Sequence, residues 1–404
     1  MKKLLAVCLL TCASLAAQIP APTQLPSRPV SIKKTWTIGG LGNWDYLTMD
    51  PKANQLFIAH GKVVQVVDVT TGSVTGQVTG FGEAHAIALD GTGEFGYVSD
   101  GLADDVKVFD RRTFKVVASI PTGPAPRSLA LEPQSGLLFV VCGEPATATP
   151  AAPPPSIHPN PNHKPPTPPT LRPPVRDTEI RTSMTVIDVQ TRQALATILM
   201  PGRLGFAQPG GSGDVFVNIV NRDSVARLDA AAIAALLHGE TAETPALDWS
   251  RGSHTQMRIF QLAGGCAEPG SLAVDGQHQR LFAACGNMKL AVVNALTGEV
   301  VTTLPTGPGT GAVGFDPDRG LIYTANGGAN GSLTIIRQDV TDTYSVVQNL
   351  PTRQRARTLA VNPASGEVYL VTDMLGVNLA EPGGIGTLRT TPVNGSFQVL
   401  VVEN

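Results

Sequence analysis

Residues Ala84–Gly123 read AHAIALDGTGEFGYVSDGLADDVKVFDRRTFKVVASIPTG. This stretch divides into four short apolar or alternating segments, Ala84–Leu89, Phe95–Ser99, Val106–Asp110 and Lys115–Ile120. Gly, Asp, Asn or Pro bounds each of them, which is the pattern of β-strands joined by tight turns. Four antiparallel strands in about forty residues form one small sheet. Such a sheet cannot bury both faces alone and requires similar neighbours.

The neighbours are visible when the third segments are aligned. VVQVVDV, VKVFDRR, MTVIDVQ, VARLDAA, LAVVNAL and LTIIRQD place Asp68, Asp110, Asp188, Asp229, Asn294 and Arg337 at one position. Three of the five intervals lie between 41 and 43 residues, the period of a four-stranded propeller blade, and the two longer ones hold insertions. An acid replaced by Asn294 and Arg337 in sister repeats does no shared chemistry. Its expected role is to cap the turn into the fourth strand.

Working outward, Ser31–Gly39 (SIKKTWTIG) resembles a fourth strand with no first three before it. The C-terminus has the complementary gap: Arg357–Asn362, Glu367–Thr372 and Ser396–Val402 supply three strands. The expectation is an all-β, seven-bladed β-propeller of four-stranded antiparallel blades, the N-terminal strand completing the last blade and removing an open sheet edge. The blades are expected at 42–80, 82–123, 126–203, 204–264, 266–307, 308–352, and 355–404 plus 31–40. Residues 31–404 form this domain, and 18–30 a linker.

Met1–Ala17 carries Lys2 and Lys3, the apolar run Leu4–Leu10 and a small-residue end, Ser14 to Ala17. It reads as a secretory signal peptide, so the mature chain is expected outside the cytoplasm, in the periplasm or extracellular space. Leu9-Leu10-Thr11 before Cys12 is a poor lipoprotein box, and no transmembrane segment is evident.

Three insertions interrupt the repeats. Residues 144–180 hold thirteen prolines between Pro145 and Pro174 and predict an extended loop in blade three. His158 and His163 within it are read as solvated rather than metal-binding. Ala230–Ser253 opens with AAAIAALLHG, two turns of helix ending at Gly239 and hanging from the opposite face of blade four. Leu375–Asn394 reads as a Gly/Pro-rich loop in blade seven.

Cys8 and Cys12 leave with the signal, and Cys142, Cys266 and Cys285 remain. Pairing about the Asp275–Arg280 turn sets residue 270 opposite 285, one short loop from Cys266. A Cys266–Cys285 disulfide follows in an oxidising compartment, with Cys142 a buried thiol.

The segments GYVSDGLADDVKVFDRRTFKVVASIPTG and LIYTANGGANGSLTII resemble the YVTN-type propeller repeats of exported bacterial proteins, the YncE-like group among them. The resemblance covers nearly all of the mature chain and implies a seven-bladed propeller in or beyond the cell envelope. It implies little about chemistry, because the fold hosts binding proteins and enzymes alike.

In a four-stranded meander, the start of strand one and the end of strand two meet at one mouth of the central channel. Trp44, Asp45, His85, Arg127, Glu268 and Arg357 stand before first strands; His60, Asp100, Cys142, Asn287, Asn326 and Asp373 stand after second strands. Each has a structural alternative: His85 bonding a neighbouring backbone, Arg127 and Arg357 in inter-blade ion pairs, Trp44 filling the rim. Asp45, Glu268, Asn287, Asn326 and Asp373 offer oxygen ligands, but without a spacing motif no metal is assigned.

A net charge of −2 gives no hint of nucleic-acid binding. No nucleophile elbow, zinc motif, haem-binding CxxCH or cofactor fingerprint occurs, so no catalytic residue and no cofactor is assigned. The leading expectation is an exported, monomeric, non-catalytic propeller that binds a small molecule or protein partner at the mouth. A lactonase-like hydrolase is the first alternative, with His85 or Glu268 as base and Arg127 or Arg357 holding an acidic substrate. A surface or adhesive protein using the proline segment as an arm is the second.

Overall fold

A computed structural model describes residues 29–40, 42–145, 180–237, 245–262, 264–328, 330–340, 342–377 and 390–403. The expected signal peptide, the body of the proline insertion and Gly239 lie outside these residues.

Seven sheets follow one another around a ring, each a meander whose first strand is innermost. The inner strands are Trp44–Asp50, Ala84–Leu89, Pro126–Glu132, Leu204–Pro209, Pro269–Asp275, Thr310–Asp316 and Leu359–Val361. Apolar residues on both faces of the second and third strands pack against the adjoining blades. Phe57 of blade one and Phe109 of blade two, both fully buried, meet with ring centroids 5.9 Å apart.

The ring closes as the sequence predicts. Ser31–Thr37 pairs antiparallel with Gln398–Glu403, from Ser31 opposite Glu403 to Thr37 opposite Gln398, as the outer strand of blade seven. Gln348 of blade six holds the backbone of Val30 through two hydrogen bonds of 3.0 and 2.7 Å.

The acid after the third strand caps turns. The Asp68 carboxylate accepts from the Thr70 and Thr71 N–H groups at 2.7 and 3.1 Å. Asp110 accepts likewise from Arg112 and Thr113, and Asn294 from Leu296 and Thr297. These backbone bonds, led by those from Thr71 and Thr113, hold the Asp68 and Asp110 carboxyls below their ordinary value. A carboxyl depressed in the folded state stabilises it above the ordinary carboxylate pKa, and that contribution is lost as pH falls through the depressed value. The Asp68→Asn/Asp110→Asn variant keeps the cap acceptor but cannot titrate. Its thermal midpoint is therefore expected to lie below that of the wild type at neutral pH and to converge on it as pH falls below the ordinary carboxylate value. A difference that does not change with pH would refute this.

Three features depart from expectation. The blade-four insertion forms the expected helix, Ala230–Leu237, but does not simply hang free. Ala246–Asp248 returns to blade three and pairs parallel with Thr197–Leu199, adding a fifth strand, and Trp249 beside it is buried in the core of blades three and four. The blade-seven loop carries a two-stranded ribbon, Leu375–Val377 with Thr390–Pro392. Finally, Pro269 rather than residue 270 stands opposite Cys285, because the inner strand bulges before Ser271. The Cys266–Cys285 disulfide forms as expected, and Cys142 is a buried free thiol.

Candidate functional site at the channel mouth

The same bulge recurs around the ring. In blades one to six the inner strand slips against its neighbour near its start, before Leu47, Ile87, Ser128, Ala207, Ser271 and Ala312. A bulge re-aims the extra residue away from the ladder. The residues in that position are Asp45, His85, Arg127, Gly205, Gly270 and Gly311; Arg357, two residues before Leu359, is the blade-seven equivalent. Four chemically active side chains therefore sit on the consecutive blades seven, one, two and three, and glycines occupy the other half of the ring.

A cavity of about 1170 Å³ opens over the active half, lined among others by Trp44, Asp45, His60, His85, Arg127 and Arg357. His85 is buried, and its Nδ1 lies 2.8 Å from Asp45 Oδ2 across the boundary between blades one and two. Its Nε2 has no hydrogen-bond partner among the described residues and sits 3.5 Å from Glu83 Oε2. The imidazole fits here because residue 101 is glycine: a Cβ there would stand 2.5 Å from Nε2.

Arg127 and Arg357 are exposed, and neither forms an ion pair within 4 Å among the described residues. Tyr46, the next residue along the blade-one strand, feels both charges. Burial, then Asp45, pushes its hydroxyl up from the ordinary tyrosine value, while Arg127 and Arg357 pull it down. Arg355, which the sequence reading did not select, lies over the Trp44 ring at 4.7 Å and pairs with Asp373 at 3.4 Å. Burial raises the Asp373 carboxyl, with Arg355 opposing. Lys62 and Glu83, also unselected, complete the charged wall.

The other candidates hold structure. Trp44 lines the cavity edge but is 4% exposed, with Arg355 over it and Phe397 at 5.2 Å. His60 is buried against Phe397 at 4.0 Å, its nitrogens facing Gln65 Oε1 and the Gly42 carbonyl. Asp100 is wholly buried and accepts from the Gly82 and Glu83 N–H groups, both at 2.8 Å. Asn326 bonds Thr310, Ser332 and Thr334 inside blade six. Asn287 braces the Cys266 loop through Gly265 and Ala267, and the Glu268 N–H donates to Asp223. Of the five oxygen-bearing candidates Asp45, Glu268, Asn287, Asn326 and Asp373, Asp45 alone is among the residues lining the cavity, and Asp100 is not among them either. Among the described residues no three His, Cys, Asp or Glu side chains cluster for a metal.

No family model and no curated protein matches the sequence. Solved structures do match in shape. A chain of the crystal structure of the mitotic checkpoint complex superposes with a TM-score of 0.64 at 13% identity, covering 98% of this chain and 99% of that one. U3-55K gives 0.63 at 9% identity, covering 92% and 99%, and the WD40 repeats of RRP9 give 0.62 at 10%, covering 96% and 100%.

The chain is a β-propeller repeat protein. At such identities the likeness extends to the fold, and the charged half-ring must be read from its own geometry. That geometry offers two guanidinium groups with no ion-pair partner among the described residues and, beside them, an oriented imidazole. Aligning the first strands as the third strands were aligned would have isolated Asp45, His85, Arg127 and Arg357 as one set. Arg355 and Glu83 sit in loops and leave no such signal.

Proposed function

We propose that this propeller is an exported, YVTN-type binding protein that takes a carboxylate-bearing ligand or partner segment at the channel mouth without reacting with it. The observation that carries this is the pair Arg127 and Arg357, at equivalent places before the inner strands of blades three and seven, facing one cavity and lacking carboxylate partners among the described residues. Arginine presents a planar fork that suits a carboxylate bidentately, and two on one site favour an anion over a neutral guest. Occurrence of a similar propeller in a multi-protein complex supports partner binding as a use of this fold. Export rests on Met1–Ala17, and the Cys266–Cys285 disulfide is in keeping with an oxidising compartment.

Calorimetric titration of the mature protein with small carboxylates, butyrate first, tests the reading. Hydrogen bonds to charged groups contribute about 1.5–3 kcal/mol each, so Arg127→Ala/Arg357→Ala is expected to weaken binding by at least about 100-fold. Both side chains are exposed, so the thermal midpoint should hold. Equal affinity in wild type and variant would sink the proposal.

The Asp45–His85 pair favours hydrolysis as a second reading. His85 Nε2 would take a proton from water attacking a lactone carbonyl, Asp45 would hold the imidazole, and Arg127 or Arg357 would hold an acidic substrate. Lactone turnover abolished by His85→Ala would establish it; no turnover by the wild-type protein across a lactone panel would end it. The adhesive reading depends on residues 144–180, nearly all outside the described residues.

A further inference from the structure

The mouth is continuous in sequence with a second space. Below the charged layer, the same inner strands line an axial chamber of about 410 Å³, within the size range of small-molecule sites. Its wall is built in layers. Four residues along from the bulge, Met49, Leu89, Leu131, Val274, Phe315 and Val361 come from six different blades, and each is only half-buried. Apolar side chains left partly open to a channel are unfavourable in water and become favourable against an apolar guest.

Between mouth and chamber stands an aromatic bridge. Tyr46 of blade one and Phe206 of blade four occupy the layer directly beneath the bulge, with ring centroids 5.1 Å apart. Blades one and four are not neighbours, so this contact crosses the channel. Both rings line the chamber and both are half-buried. Tyr46 carries the hydroxyl that feels Arg127 and Arg357, so the anion site and the apolar chamber meet at one residue.

We propose that the ligand of this mouth is a free aliphatic carboxylic acid with an unbranched tail, which deepens the anion-binding reading and rests on it. The head is held by Arg127 and Arg357 beside the Tyr46 hydroxyl. The tail enters the chamber past Phe206, whose ring swings from Tyr46 to admit it. A hydrophilic dianion of similar length would satisfy the arginines but leave the apolar wall without a partner.

Calorimetry of the mature protein with butyrate, hexanoate, octanoate and decanoate, each below its micellar concentration, tests this. A buried methylene is equivalent to roughly a fourfold gain in affinity, so decanoate is expected to bind at least about 100-fold tighter than butyrate. Leu131→Gln/Phe315→Gln should flatten that rise while butyrate affinity stays unchanged, which separates the lost tail contact from the lower thermal midpoint expected because Leu131 and Phe315 also pack on the blade cores. Phe206→Ala should speed decanoate association without altering butyrate affinity. If butyrate binds and chain length makes no difference, the tail inference falls and the anion reading stands. If the rise with chain length survives in Leu131→Gln/Phe315→Gln, the tail lies elsewhere and the inference is likewise overturned. If none of the acids binds, both readings fall together.

Discussion

A chain beginning after Thr37 is expected to lose its cooperative thermal transition and to aggregate at concentrations where a chain that keeps residues 18–37 stays monodisperse. Three contacts set the size of the effect. Ser31–Thr37 pairs along its length with Gln398–Glu403. Trp36 stacks on the fully buried Tyr369 of blade seven with centroids 5.9 Å apart, and its ring also covers Gly72 of blade one, where a Cβ would stand 2.4 Å away. Val30, just before the strand, is tied to Gln348 of blade six. The segment thus joins three blades. Its loss removes a ladder of hydrogen bonds and a half-buried tryptophan, together comparable with a net stability of about 5–15 kcal/mol. It also bares the Gln398–Glu403 edge, a template for pairing with other chains. The milder Trp36→Ala is expected to lower stability by about 2 kcal/mol, less than for a fully buried tryptophan because this ring is half-exposed. A synthetic peptide spanning SIKKTWTIG should restore the transition to the truncated chain by adding back the missing strand. An unchanged melt in the truncated chain would show that the ring does not depend on this closure.

That closure was readable because the repeat counts strands. A lone fourth strand at one end and a missing one at the other fit no other arrangement of four-stranded modules. The disulfide was readable for a similar reason, since strand pairing brings both cysteines to one blade edge. The bulge was not: pairing counted from the Asp275–Arg280 turn assumes an unbroken ladder, and the extra residue shifts Pro269 opposite Cys285. Nor was the short strand Ala246–Asp248, whose pairing with blade three depends on where the insertion travels rather than on any pattern in three residues. The site was half readable. First-strand positions face the axis in every blade, so Asp45, His85, Arg127 and Arg357 converge. Ends of second strands lie one strand further out, and their side chains are absorbed there, Asn326 by four hydroxyls and Asp100 by two backbone N–H groups. Polar type alone could not distinguish a residue that faces solvent from one that satisfies its own blade.

Removing the disulfide is the second large effect. Cys285 is wholly buried, Cys266 is 3% exposed, and both pack with Phe216, Val225 and Leu262 between blades four and five. Asn287 braces the backbone on either side of Cys266, so the loop is held whether or not the sulfurs are joined. The main loss on breaking the bond then comes from the unfolded chain, which regains the freedom of a loop closed over a sequence separation of 19 residues, about 3 kcal/mol. Cys266→Ala/Cys285→Ala is expected to lower the urea-unfolding free energy by about that amount, with a further small loss from the two missing sulfurs. The oxidised wild type should lose a similar amount on reduction, whereas the double variant should not respond to reductant. Cys142 supplies the internal control. Burial pushes its thiol up from the ordinary value, so in a chain beginning at residue 18 thiol reagents should count no reactive group in the native oxidised state and one in the unfolded state. A double variant as stable as the oxidised wild type would mean that packing between blades four and five already confines the chain without the bond. The oxidising compartment expected from Met1–Ala17 would then matter for delivery and not for stability.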